Sequence, residues 1–347
     1  MFESIKIRNF RVITKLELDD LGQVNLLVGQ NGCGKTTFLE AVFFLIGATN
    51  PMLPVNVNIF RGLTFFSNKL WHTYFHNMDP NIPIEIGGRV HDTKEEQNLL
   101  IRPRSKRSQP IAAHVPSLSY ARGDSETMFE VDGLELEYES SGDPTSKTKS
   151  AVFFKDGNIA SEGSKERAIR GIFVSPCIYD WKDRFSEIQR KKQVPEVIFL
   201  LKEIEPHLSD LRLNEVGLLL ADIGSPELIP VNLMGGGIVK FLSIALAMLD
   251  CKNGMVLIDE IENGLHHSAQ KTIWKAIFNW AEKLNVQVFA TTHSDESVRA
   301  FSNTLDEVLF KADAKLFRIE RKDGTFRAVE YTKDVLAESL DSRWEVR

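Results

Sequence analysis

The chain has 347 residues, 26% of them charged and 43% hydrophobic, the composition of an ordinary globular protein able to bury a sizeable core. Its net charge of −6 announces no nucleic-acid or membrane-surface binder, so any such role must rest on a local basic patch. No run approaches the ~18 apolar residues of a membrane span, and the charged N-terminus MFESIKIRNFRV lacks a signal peptide's apolar stretch, so a cytoplasmic location is expected.

Residues 4–13 (SIKIRNFRVI) begin by alternating, with Ile5 and Ile7 on one side and Lys6 and Arg8 on the other; Phe10 falls on the Lys6 side and breaks the pattern. Lys15-Leu16-Glu17-Leu18 alternates too, which predicts two half-polar strands around a short turn, an antiparallel start. Val24-Asn25-Leu26-Leu27-Val28 then reads as a strand, and residues 36–46 (TTFLEAVFFLI) have the apolar content of a buried helix. Between them, Gly29-Gln30-Asn31-Gly32-Cys33-Gly34-Lys35-Thr36 fits G-x-x-x-x-G-K-[ST]. In that setting the glycines let the backbone curl so that successive N–H groups point at phosphate oxygens, with the helix dipole behind them. Lys35 is expected at the β- and γ-phosphates and the Thr36 hydroxyl on Mg²⁺, with Asn31, Cys33 and Thr37 along the same cradle. A glycine turn that merely joins strand to helix is the alternative, and the paired acids met further on weigh against it.

Asn9-Phe10-Arg11 on an opening strand, the glycine loop roughly twenty residues on, and then Leu39-Glu40-Ala41 together resemble the ATPase heads of the RecF, SMC and overcoming-lysogenization-defect (OLD) proteins. The resemblance implies an α/β P-loop NTPase of ABC-ATPase type, with a mainly parallel sheet, an antiparallel N-terminal β part, and ATP and Mg²⁺ as ligands. In such heads a basic residue of the first strands often lies near the nucleotide, which makes Arg11 the candidate here; a solvated strand-edge arginine is the competing reading.

From 50 to 170 prolines and glycines punctuate the chain, and residues 82–90, 128–138 and 151–159 read as strands separated by the polar stretches 91–98 and 140–150. This predicts a β-rich insertion within a single head whose nucleotide-binding core comprises 1–49 and 171–347. Trp71, Tyr74 and Phe75 form an apolar cluster expected in the core. Arg102, Arg104, Lys106 and Arg107 fall in a Pro- and Ser-containing loop, either solvated surface or a contact to a nucleic-acid backbone. Residues 185–211 hold no long heptad pattern and are interrupted by Pro195, so core-flanking helices are expected, with Val197, Phe199, Leu200, Leu201 and Ile204 as apolar contacts.

Residues 231–249 (VNLMGGGIVKFLSIALAML) set a glycine run before a strongly apolar helix. Leu233 to Lys240 aligns with the L-S-G-G-Q-x-x-R signature of ABC-type ATPases, Gly235 and Gly236 matching its glycines and Lys240 its basic position. Met234 replaces the serine and Gly237 the glutamine. The resemblance implies that Gly235, Gly236 and Gly237 reach the nucleotide of a second copy through backbone amides and the helix dipole; a tight turn is the bland alternative.

Met255-Val256-Leu257-Ile258 is an apolar run without alternation, as in a strand buried on both faces, and it ends in Asp259 and Glu260. Two acids there are costly unless something positive or hydrogen-bonding awaits them. In phosphoryl-transfer proteins the first holds Mg²⁺ and the second polarises the attacking water. Glu262-Asn263-Gly264-Leu265-His266 resembles the D-loop and E-N-G-L-H motif of stand-alone RecF/OLD-like ATPases. Residues 286–292 (VQVFATT) read as another buried strand, and His293 at its end matches the switch histidine that senses the γ-phosphate in ABC ATPases. A helix over 295–301 and a hairpin around Lys322-Asp323-Gly324 follow. The closing WEVR resembles the endings of short family members and is expected to leave no room for a TOPRIM nuclease domain. Cys33, Cys177 and Cys251 lack metal-ligand spacing and read as free thiols in a reducing compartment.

The leading expectation is an ABC-type ATPase that dimerises head to head around ATP and gates a separately encoded effector, such as a nuclease or toxin in antiphage defence. A RecF-like ATPase acting on DNA in repair is the second. A catalytically quiet nucleotide-bound scaffold is the third, and Glu260 and His293 argue against it.

Overall fold

The computed structural model describes residues 1–63, 67–106, 130–164, 169–176, 181–202, 204–306 and 313–341; Cys177, Arg107, the Lys106 side chain and residues 344–347 lie outside them. Strands β1 (Phe2–Phe10) and β2 (Ile13–Leu18) pair antiparallel, with Ile5 opposite Leu18 and Phe10 opposite Ile13. The break in alternation has a local cause. Asn9 sits at φ 57°, a left-handed conformation that asparagine tolerates, and this turns Phe10 into the core. There it meets the ring of Phe44 edge-on and that of Tyr74 face-on.

Strand β3 (Val24–Val28) and helix α1 (Lys35–Ile46) stand where the sequence predicts them. After α2 (Leu53–Phe60) and the short α3 (Asn68–His72), five strands extend the β1–β2 pair: β4 (Ile84–Val90), β5 (Glu96–Lys106), β6 (Glu130–Ser140), β7 (Asp143–Lys155) and β8 (Asn158–Gly163). Together they form a seven-stranded antiparallel sheet in the order β2-β1-β4-β5-β6-β7-β8.

The local reading of this region is corrected in three places. The polar stretch 140–150 does not separate strands: from Asp143 on it is part of β7, paired with β6. Residues 151–159 are not one strand: β7 turns at Asp156 and Gly157, at φ 51° and 80°, into β8. The stretch read as a basic loop belongs to β5 as far as Lys106. Its polarity reflects a half-solvated sheet, with Leu99 and Ile101 buried while Arg102 pairs across to Glu137 at 3.2 Å. Arg104 pairs with the buried Asp132 at 3.1 Å and covers the Phe153 ring at 3.6 Å. Pro103 is tolerated because β4 stops pairing at Ile101, so β5 has one neighbour there and needs no second donor.

Past β9 (Gly171–Val174), helices α4 (Lys182–Arg190) and α5 (Val194–Leu201) and a small sheet of β10 (Asp210–Leu213), β11 (Leu219–Asp222) and β12 (Ile229–Pro230) lead to α6 (Gly236–Asp250). Then come β13 (Met255–Ile258), α7 (His267–Leu284), β14 (Gln287–Thr291), α8 (Asp295–Asp306), β15 (Ala314–Lys322), β16 (Thr325–Tyr331) and α9 (Lys333–Asp341). The second large sheet runs β16-β15-β3-β14-β13-β9, parallel throughout except for the edge strand β16.

This parallel sheet is buried on both faces. Val24, Leu26, Val28, Val256, Ile258, Val288 and Ala290 join the core under α6, α7 and α8, whereas Leu27, Met255, Leu257 and Phe289 join the core of α1 and the antiparallel sheet. Helix α1 is therefore covered on both sides, which explains why its sequence is apolar nearly all round. Gln287, 1% exposed, ties the two sheets: its side chain accepts from Phe2 N at 2.9 Å and donates to Phe2 O at 2.8 Å and Gly22 O at 2.9 Å.

Trp71, Tyr74 and Phe75 are buried as expected, and so are Val197 and Leu201. Phe199 is not. It is 71% exposed, because it lies two residues from each of those and so on the opposite side of α5. Trp71 packs on Phe154 of the antiparallel sheet, and Trp71→Ala should lower unfolding free energy by about 3–5 kcal/mol, measured by urea denaturation. Among the described residues no helix is long and apolar enough to cross a membrane.

Candidate nucleotide site

The glycine loop leaves the carboxyl end of β3 and runs into the N-terminus of α1, with β14 and β15 on either side. Gly29 at φ 139° lies against β15, where a Cβ would come within 2.4 Å of Ile319 O, so no other residue fits. Gly34 at φ 97° supplies the left-handed turn into the helix. The Lys35 ammonium, 4% exposed, donates to Gly29 O at 2.5 Å and Gln30 O at 3.0 Å. Burial pushes its pKa below the usual lysine range, against the opposing pull of Cys33, Asp259 and Glu262. Burial likewise raises the pKa of the Cys33 thiol.

Strand β13 delivers the two acids to the same place. Asp259, 4% exposed, receives the Thr36 hydroxyl at 3.0 and 3.1 Å and the Thr291 hydroxyl at 2.7 Å. The Thr291 oxygen also accepts from Glu260 N at 2.8 Å, so one threonine braces both acids. Lys240, fully buried on α6, donates to the Asp259 carbonyl at 2.9 Å. Glu260 sits at φ 46°, a conformation unusual for a non-glycine residue. Its carboxylate lies 3.3 Å from Asn263 Nδ2 and 3.7 Å from His293 Nε2.

One cavity of about 540 Å³ is lined by Val12, Asn31, Gly32, Gly34, Lys35, Thr36, Thr37, Arg61, Glu260 and His293. The loop thus shares one space with the second acid and the histidine, both more than two hundred residues further along the sequence. Gly29 and Cys33 line an adjoining cavity with residues 318–322 of β15. Thr36 and Asp259 are hard oxygen donors of the kind Mg²⁺ takes, and two are too few to hold the ion alone. No group of three or more His, Cys, Asp or Glu able to hold a metal occurs among the described residues. The site therefore fits an ion that arrives with phosphate oxygens.

Arg11 is corrected. It does not line the cavity: its guanidinium forms an ion pair with Glu40 at 2.8 Å, short of hydrogen-bond geometry, donates to Asn58 at 3.2 Å and covers the Tyr74 ring at 4.8 Å. The arginine that reaches the cavity is Arg61, held by the other oxygen of Glu40 at 2.5 Å. Sequence reasoning missed Arg61 and Thr291 and took Glu262 only as the first residue of the E-N-G-L-H motif; the part each plays is set by a partner at least twenty residues away, so no local signal shows it. Gly235, Gly236 and Gly237 do not line the cavity of their own subunit; Gly236 packs instead against Gly264.

Residues 24–299 match the family described as "AAA domain, putative AbiEii toxin, Type IV TA system". The chain belongs to that family. This AAA-domain protein is 25% identical to a Helicobacter pylori protein named ATP/GTP phosphatase, over 93% of each chain. It is also 25% identical to the OLD nuclease of Thermus scotoductus, matching over 99% of its own length and 66% of the nuclease. In fold it resembles an SMC head solved in complex with the C-terminal winged-helix domain of ScpA, with a TM-score of 0.51 at 14% identity, over 98% of this chain and 99% of that one. It is an ABC-type AAA ATPase of the RecF, SMC and OLD kind, built for nucleotide binding and hydrolysis.

Proposed function

We propose that this AAA-domain protein is a cytoplasmic, Mg²⁺-dependent ATP hydrolase whose heads close into a two-fold dimer around ATP and so switch a separately encoded effector in bacterial antiphage defence. The observation that carries the reading is the meeting of Lys35, Thr36, Glu260 and His293 around one cavity, with Asp259 against Thr36. Lys35 moves from the loop carbonyls to the β- and γ-phosphates, and the loop N–H groups and the α1 dipole hold the same anion. Thr36 and Asp259 hold Mg²⁺, which neutralises charge on the phosphates when bound. Glu260 orients the attacking water and takes its proton, and His293 senses the γ-phosphate from the far side.

Gly235, Gly236 and Gly237 serve the nucleotide of the second copy, since they stand away from their own cavity. The toxin in the family's description and the nuclease in the name of the Thermus relative support an effector of one of those two kinds. A direct role on DNA through Arg102, Arg104, Lys106 and Arg107 gains no support, because Arg102 and Arg104 are engaged with Glu137 and Asp132.

Lys35→Ala tests the site. Removing a charged hydrogen-bond donor worth about 1.5–3 kcal/mol should weaken ATP binding by roughly ten- to a hundredfold. Titration of a fluorescent ATP analogue would show it, and unchanged affinity would remove Lys35 from the phosphates.

A further inference from the structure

Strands β13 and β14 end side by side, and the two loops that leave them carry Glu260 and His293. Backbone pairing between the loops stops at Ile261 N to Thr291 O, 3.0 Å, and Thr292 N turns away to Leu27 O of β3 at 3.2 Å. The next amide, that of His293, has left the ladder. Glu262 takes it: its Oε1 accepts from His293 N at 2.6 Å.

The His293 ring then stands with Nε2 3.7 Å from Glu260 Oε1, beyond hydrogen-bond distance. Glu262 holds the main chain that carries the ring. The other Glu262 oxygen is buried and has no hydrogen-bond partner among the described residues. Glu262 belongs to the same short loop as Glu260, so the contact closes a ring: Glu260, the loop, Glu262, the His293 amide, the imidazole, and back to the Glu260 carboxylate.

We infer that Glu262 is a positioning residue for hydrolysis, fixing the His293 ring opposite Glu260 by holding the His293 amide. The inference rests on the proposed roles of Glu260 and His293. It assigns Glu262 no contact with nucleotide and no part in binding it.

The test is steady-state ATP hydrolysis with Mg²⁺ by the full chain and its variants. Glu262→Ala should lower kcat by about ten- to a hundredfold, the cost of a misplaced catalytic group, with KM within about twofold of wild type. Glu262→Gln keeps an acceptor oxygen at the same reach and should restore kcat to within a few fold. Glu262→Asp keeps the charge but draws the oxygen back, so it should fail as Glu262→Ala does. Because Glu262 acts through His293, the double variant Glu262→Ala with His293→Ala should be no slower than His293→Ala alone.

Additive losses in the double variant would overturn the inference, as would wild-type turnover in Glu262→Asp or a Glu262→Gln as slow as Glu262→Ala. Should Glu262→Ala fail to fold, the Gln and Asp variants decide by themselves. Glu260→Gln run alongside separates the two levels: wild-type turnover there sinks the site reading and this inference with it. Lost turnover there with an unaffected Glu262→Asp sinks this inference alone.

Discussion

Glu260→Gln is expected to bind ATP as the wild type does and to release phosphate about 10²–10⁴ times more slowly, the range for loss of a general base. The two side chains are nearly isosteric, and the anchors that hold this residue survive the change. Its amide still donates to the Thr291 hydroxyl at 2.8 Å, and the left-handed backbone at φ 46° is untouched. The residues proposed to hold the phosphates, Lys35, Thr36 and the loop, line the same cavity and are not altered by the change. What disappears is the proton acceptor. A coupled phosphate-release assay beside a nucleotide titration reads both quantities. Turnover at the wild-type rate would take Glu260 out of the chemistry, and lost affinity would make it a binding residue instead.

The same variant should expose the assembly. With hydrolysis blocked, ATP is expected to make the chain predominantly dimeric, while ADP leaves it monomeric. A shift from about 1:99 to 99:1 requires the closed state to bind ATP about 5.5 kcal/mol better than the open one. The amides at the start of α6 are the candidates for that difference, in a two-fold interface that each copy completes for the other. Adding Gly237→Asp should abolish the shift, because a carboxylate would then face the partner's γ-phosphate.

Gly237 is the position to change. A Cβ there finds its nearest neighbours at 3.7 and 3.8 Å, and an acid in the first turn favours the helix, so the monomer keeps its fold. Gly236 is a poorer choice, since its Cβ would come within 3.0 Å of Gly264 O and disturb the loop after Glu260. Sedimentation with ATP and with ADP decides the matter: if Glu260→Gln with Gly237→Asp dimerises as readily as Glu260→Gln alone, the signature glycines do not meet the partner's nucleotide.

The unit that carries the glycine loop was legible because its signals are local. A strand, a glycine turn and a helix N-terminus follow one another between Val24 and Ile46, and backbone geometry alone makes that order an anion site. The same holds for the uniformly apolar Met255 to Ile258 before its acids and for the hairpin at Asp323 and Gly324. The antiparallel sheet was harder to see. A strand with one wet face, such as β5, carries arginines and a proline and looks like a loop until Glu137, Asp132 and Phe153 come alongside.

By itself, then, the sequence determined the fold class and pointed to the glycine loop, the paired acids and the histidine that follows the next strand. Each is written in a short run of residues beside a strand that the sequence itself marks. Only the tertiary structure decided that Glu40 draws Arg11 away from the cavity while holding Arg61 at its edge. The same is true of Thr291 bracing both acids and of Glu262 holding the His293 amide. A buried charge takes whatever partner the packing brings within reach, and that partner can come from anywhere in the chain.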